Sequence, residues 1–309
     1  MKRGLTAYIR WGILALAVLL TLTVCQRRTD TVTLRLLQEP GVLTTHLQLS
    51  RGSVRVTRND SLISNQYGEA QTRIEYLVLS VDPSDSVARV AVTLTAAEMN
   101  QENDDTASQA ADSTEPMKHV VEYVEYLRPN GQLIDIDFES ERKSARPEYI
   151  KQYYEQAFPV FPSQPVTVGY TWTQTTKVKL AEGPVDASTK YTVKSLVREQ
   201  GYNCAVVEYN GLCVIPLEPT PPDDTVSCAR LINGVDRINA DGVMYFAYEE
   251  GFVVHEREHW RLTGNRLQVT KTDDTLKTLV EVDHDVDISL VSRIQTGGDS
   301  SAPEHQETP

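Results

Sequence analysis

Apolar and polar residues alternate with period two through most of this chain, and that pattern restricts the fold to a sheet. It runs through Thr31–Leu37 (TVTLRLL), Arg73–Val81 (RIEYLVLSV), Val87–Leu94 (VARVAVTL), Val120–Leu127 (VVEYVEYL) and Leu133–Phe138 (LIDIDF). Successive strand side chains point to opposite faces, so strict alternation yields one apolar face and one wet face. On a helix the same residues would scatter around the circumference. Val, Ile, Thr and Tyr dominate these segments, as half-buried strands require. Asp82-Pro83-Ser84-Asp85, Pro129-Asn130-Gly131 and Glu249-Glu250-Gly251 punctuate them as turns. The expected fold is mainly β, with antiparallel curved sheets or half-barrels built as a meander of hairpins.

One stretch departs from this pattern. Ser144-Ala145-Arg146-Pro147-Glu148 offers a polar start, a proline at the first helical position and an acid in the first turn. Ile150, Tyr153, Tyr154 and Ala157 then recur at helical spacing until Pro159. A single prominent helix is therefore expected near 147–158. Residues 98–116 and 295–309 are polar, with almost no large apolar groups. They read as a disordered acidic loop and a disordered tail. Thr72–Ala96 with Val121–Glu139, and Thr189–Gly211 with Gly242–Trp260, each show hairpin, excursion, hairpin. The chain thus divides into a first β-unit (26–143), a helix and Pro-rich joint (144–165) and a similar second β-unit (166–294).

Residues 1–25 stand apart. Lys2, Arg3 and Arg10 precede a charge-free run, Trp11–Val24. As a helix that run spans roughly 21 Å, short of the ~30 Å hydrocarbon core. It reads as a signal peptide or signal anchor. Leu22 and Cys25 resemble the lipobox of bacterial lipoproteins, in which the cysteine is acylated. Val24 stands where that motif carries a small residue, and Arg27 and Arg28 follow closely. Lipidation at Cys25, retention as an anchor and ordinary cleavage all remain open. Each places the rest of the chain on the extracytoplasmic side of a bacterial envelope, with the membrane as partner through the N-terminus.

Beyond residue 25 the chain carries 27 basic and 43 acidic residues, a formal charge of −16. Such a surface repels phosphate backbones, so nucleic acid is not an expected partner. Cys204, Cys213 and Cys228 remain, with no CxxC pair. Cys213 and Cys228 flank a Pro-rich loop and could form a disulfide in an oxidising compartment. The alternative is that all three are small buried hydrophobes.

His255-Glu256-Arg257-Glu258-His259 fits H-E-x-x-H. That motif makes a zinc hydrolase when a helix stacks the two histidines on one face. Here alternation continues through it, which places both histidines on one strand face ~13 Å apart. Asp283-His284-Asp285 looks like a ligand cluster but lies in an alternating stretch, so a polar strand face is expected there. No G-x-S-x-G elbow or Gly-rich phosphate loop is present. No catalytic residue, metal or cofactor is expected, and the zinc hydrolase is the disfavoured alternative.

Phe161-Pro162-Ser163-Gln164-Pro165-Val166-Thr167-Val168-Gly169-Tyr170-Thr171-Trp172 follows F-P-x-x-P-V-x-V-G-x-x-W. This resembles a signature of uncharacterised β-rich exported proteins and lipoproteins of bacteria, and the surrounding order of elements is similar from about Thr31 to Thr270. The resemblance implies localisation and architecture and brings no catalytic residues. The leading expectation is a non-enzymatic envelope protein, a lipoprotein if Cys25 is acylated, working through protein or lipid contacts. The alternative is a half-barrel resembling periplasmic lipoprotein carriers. That barrel would hold a hydrophobic ligand against Ile150, Tyr153, Tyr154, Phe158 and Phe161, residues that serve equally as plain core.

Overall fold

The computed structural model describes residues 30–103, 119–138, 158–180, 183–219, 230–270 and 274–296, without the side chains of 97–103, 119, 178–180 and 183. From Val32 onward the chain clusters as one compact unit. Among the described residues there are eleven strands: β1 (Val42–Arg58), β2 (Ser61–Val81), β3 (Ala88–Asn103), β4 (His119–Leu127), β5 (Leu133–Asp137), β6 (Thr171–Leu180), β7 (Gly183–Glu199), β8 (Tyr202–Leu217), β9 (Arg230–Ala247), β10 (Phe252–Val269) and β11 (Thr275–Gln295). They form a single antiparallel sheet in the order β5-β4-β3-β2-β1-β11-β10-β9-β8-β7-β6. The sheet does not close, since β5 and β6 are its edges. Strands β1–β5 and β6–β11 occupy opposite halves of the sheet, and β1 pairs with β11 where the halves meet.

Alternation explains which strand faces are wet. Along β9, Val235, Arg237, Asn239 and Asp241 are exposed, whereas Asp236, Ile238, Ala240 and Gly242 are buried or half-buried. The same rhythm holds in β8, where Asn210, Leu212 and Val214 are exposed and Tyr209, Cys213 and Ile215 are covered. Hairpin turns use the positive-φ pairs that match strand twist. Asn59 and Asp60 have φ of 47° and 64°, and Gln200 and Gly201 have 47° and 90°.

Two apolar clusters occupy the covered face. One gathers Tyr191, Val193, Val207, Met244 and Phe246 from β7–β9 under Val32, Leu34, Phe161 and Val166. The other gathers Ile74, Val90, Val92, Tyr123 and Ile136 from β2–β5. A smaller third cluster, with Cys204, Ala247 and Phe252, forms on the reverse side. Both large clusters lie toward one end of the long strands, where loops from opposite halves meet. The Leu36 amide donates to Pro129 O (2.6 Å), Phe161 N to Asn130 O (2.8 Å) and Leu37 N to Gly251 O (3.2 Å).

Gly251 has φ +69°, and a Cβ there would come within 2.7 Å of Arg35 O. Gly251→Ala is therefore expected to cost more than about 2 kcal/mol, combining a left-handed backbone with a backbone clash. A urea midpoint lowered at unchanged m-value would show it, and an unshifted midpoint would refute it.

Several expectations need correction. Thr31–Leu37 is not a strand. Val32 and Leu34 are buried by alternation, but the segment makes only an isolated bridge to Val166. Alternation requires one covered side, and a core supplies that without a strand partner. β3 runs on through Asn103, so the start of the expected 98–116 loop is ladder, and Gln295 still belongs to β11. Among the described residues there is no helix. The prominent helix expected near 147–158 therefore has no support in the described fold. It falls outside those residues except for Phe158, which sits in a bend.

Candidate functional site

The H-E-x-x-H residues lie on β10, and its strand geometry separates them. His255 stacks on Tyr245 (5.5 Å, 18°) and its Nε2 is 3.3 Å from Asp287 Oδ1. His259 Nδ1 instead donates to Asp285 Oδ1 at 2.9 Å. Glu256 points to the opposite face, where it accepts a 2.8 Å hydrogen bond from Tyr209 OH. Two histidines with separate partners and a glutamate on the far face do not assemble the zinc-hydrolase site.

Glu256 and its neighbours form a desolvated acid cluster on the covered face. Burial pushes the Glu256 carboxyl up to about 7, against the opposing effect of the Tyr209 hydroxyl. Burial and the Glu256 charge also push the Tyr209 hydroxyl up. Gly242 makes this possible, because a Cβ there would overlap the Tyr209 ring. A second acid, Glu125 on β4, is 9% exposed beside the β2–β5 cluster, and burial raises it to about 7.

Asp283 and Asp285 do share a face, but His284 between them does not. Its ring packs on Trp260 (5.0 Å) and over Gly52. On the polar face β10 presents His255, Arg257, His259 and Arg261 against Asp287, Asp285 and Asp283 of β11. Arg257 Nε donates to Asp287 Oδ2 (3.1 Å), and Arg261 Nη2 to Asp283 Oδ2 (2.6 Å). Such exposed pairs are each worth only ~0.2–1 kcal/mol. An open depression of about 560 Å³ lies over this ladder, with Leu49, Arg51, Glu208 and Asp241 among its walls. Metal-ligating atoms of His259, Asp283 and Asp285 lie within 4.8 Å of one another.

The expected hydrophobic-ligand lining is partly plain core. Phe161 is 2% exposed, its ring 4.6 Å from Phe246 and 5.6 Å from Phe158. That space is filled. Ile150, Tyr153 and Tyr154 lie outside the described residues. Among the described residues Cys204 and Cys213 are buried cysteines with no disulfide partner. Burial raises both, Cys204 to about 11, which leaves them protonated and unreactive at neutral pH. Cys228, the expected partner of Cys213, lies outside the described residues, as does Cys25.

An apolar feature that alternation alone did not reveal crosses the covered face beyond the core. Cys213, Ile238, Leu262, Val282 and Val54 follow one another in register on β8, β9, β10, β11 and β1. The row spans ~19 Å at ordinary strand spacing. On its core side runs a row of small and aromatic residues, Gly211, Ala240, Trp260, His284 and Gly52, in the same register. Ile238, Leu262, Val282 and Val54 are half-buried and belong to none of the three core clusters. Each was legible as an inward strand position. Their adjacency depends on the register of five strands, which no local pattern encodes.

Residues 139–203 match a family of unknown function, DUF6263, a stretch that includes the Phe161–Trp172 segment and β6 and β7. No curated protein matches the sequence. Among solved structures the chain is similar to one described as "lipid-protein interactions in lipovitellin". That likeness has 11% identity and a TM-score of 0.43, over 86% of this chain and 27% of that one.

Proposed function

We propose that this is a non-enzymatic protein of the bacterial cell envelope, tethered to the membrane from the extracytoplasmic side through its N-terminal segment, whose sheet binds an acyl chain along its covered face. The observation that carries this reading is the Cys213–Ile238–Leu262–Val282–Val54 row, which continues an apolar surface past the clusters that fill the core. Each methylene moved out of water onto such a surface gains ~0.8 kcal/mol. The Arg257, His259, Arg261, Asp283, Asp285 and Asp287 ladder lies on the other face, whereas Asp236, Glu256 and Glu258 share the face of the row.

Photo-crosslinking tests the reading. The full-length protein, reconstituted in vesicles of neutral phospholipid doped with a photoactivatable fatty acid, is expected to be labelled on β8–β11. Leu262→Glu should abolish that labelling while the far-UV spectrum is retained. Labelling confined to residues 1–25, or unchanged by Leu262→Glu, would overturn it. Intact-mass measurement of the same membrane-extracted protein reads the tether, as an acyl addition on Cys25 or an intact Met1.

A further inference from the structure

H-E-x-x-H and Asp283-His284-Asp285 each fail as a ligand set, but the pairing of β10 with β11 joins one half of each. We propose that His259, Asp283 and Asp285 form a binding site for a divalent transition-metal ion of the Zn²⁺ class on the polar face of the sheet. The site lies on the opposite face from the apolar row and does not depend on it.

His259 and Asp285 are directly opposed across the two strands, and Asp283 is the diagonal neighbour. His259 Nδ1 is 2.9 Å from Asp285 Oδ1 and 3.7 Å from Asp283 Oδ1. Two carboxylate oxygens thus converge on one ring nitrogen. A single N–H serves one of them, whereas a cation serves all three atoms. Tetrahedral ligands with bonds of ~2.0–2.2 Å stand ~3.4 Å apart, so the 3.7 Å contact must close and the 2.9 Å contact open by a few tenths of an ångström, and all three atoms already lie within 4.8 Å of one another.

The outer contacts orient these ligands. Arg261 binds Asp283 through Oδ2, with Nη2 at 2.6 Å and Nε at 2.9 Å, which turns Oδ1 toward His259. This is how outer-shell partners fix a ligating carboxylate. Arg257 is engaged by Asp287, so its charge is already answered. Asp241 on β9 opposes His259 from the other side and adds negative charge at the rim. Asp285 is well exposed and both it and His259 line the depression, so the remaining coordination positions open to solvent. One imidazole nitrogen with two carboxylates suits Zn²⁺ or Co²⁺. Ca²⁺ and Mg²⁺ prefer sites made wholly of oxygen.

The test is titration of the full-length, tag-free, chelator-treated protein with Co²⁺, followed by its visible absorption, and then displacement by Zn²⁺. One equivalent per chain is expected. His259→Ala and Asp285→Asn should each weaken binding at least ~10-fold, and Arg261→Gln should weaken it by a comparable factor. His255→Ala should leave it unchanged, because that histidine faces Asp287 instead. Thermal melting of each variant without metal separates loss of ligands from loss of fold. Three results would overturn the site: no stoichiometric binding, equal loss in His255→Ala, or displacement by Ca²⁺ as effective as by Zn²⁺.

Discussion

Phe246→Ala should destabilise the protein by about 3–5 kcal/mol, the usual cost of removing a fully enclosed aromatic ring. Phe246 is 0% exposed on β9. Its ring lies 4.6 Å from Phe161, which rides on the segment leading to the β6 edge. The same segment reaches the other half of the sheet through Phe161 N and Asn130 O at 2.8 Å. Loss of the ring therefore leaves a cavity where loops from the two halves meet, and little else can move in to fill it. The melting temperature is expected to fall on the order of 10 °C for a domain of this size. Phe246→Leu, which keeps most of the volume, should cost less than half as much. A loss below about 1 kcal/mol for the alanine variant would mean that the site collapses freely and that this junction is not a packed core.

Glu125→Gln is expected to act in the opposite direction and only in part of the pH range. The Glu125 carboxyl rises from 4.5 to about 7 in the folded protein because burial disfavours its charged form. Between those values the native state holds a proton that the unfolded chain has released. The native advantage is therefore complete below pH 4.5 and is lost as pH rises through 7. The glutamine variant has no charge to bury. At pH 8 it should be more stable than the parent by about 3 kcal/mol, and near pH 4 the two should coincide.

His46 works with the contrary sign. It is 5% exposed, donates from Nε2 to Val253 O at 2.8 Å, and burial lowers its pKa. Its contribution is complete above pH 6.5 and is lost as pH falls from there through the lowered value of the folded protein. Both proteins retain His46 and Glu256, so the difference between their denaturation midpoints at the two pH values isolates Glu125. Equal differences at pH 4 and pH 8 would rule out a buried protonated acid.

Local pattern carried the element types and much of the site chemistry. Alternation identifies most of the strands, and the Asp82–Asp85, Pro129–Gly131 and Glu249–Gly251 turns fall between β2 and β3, β4 and β5, and β9 and β10. These properties are local because two-residue periodicity and turn conformation depend on neighbours in sequence. The same logic separates His255 from His259 on β10, and His284 from its flanking aspartates on β11, without any tertiary knowledge.

Other features arise only from long-range packing. Thr31–Leu37 has the alternation of a strand, yet it finds a core in place of a ladder. β1 carries Arg51, Gly52 and Arg55 and shows no clean alternation, yet it pairs with β11 at the centre of the sheet. Register decides what lies beside what. It sets His259 against Asp285, lays Tyr209 over Gly242 next to Glu256, and lines up Ile238, Leu262, Val282 and Val54 into one row. A strand's own sequence sets which of its residues share a face, because side chains alternate along a single backbone. Which residues of another strand they meet is set by hydrogen-bond register between segments that can lie more than two hundred residues apart, and that only the folded sheet decides.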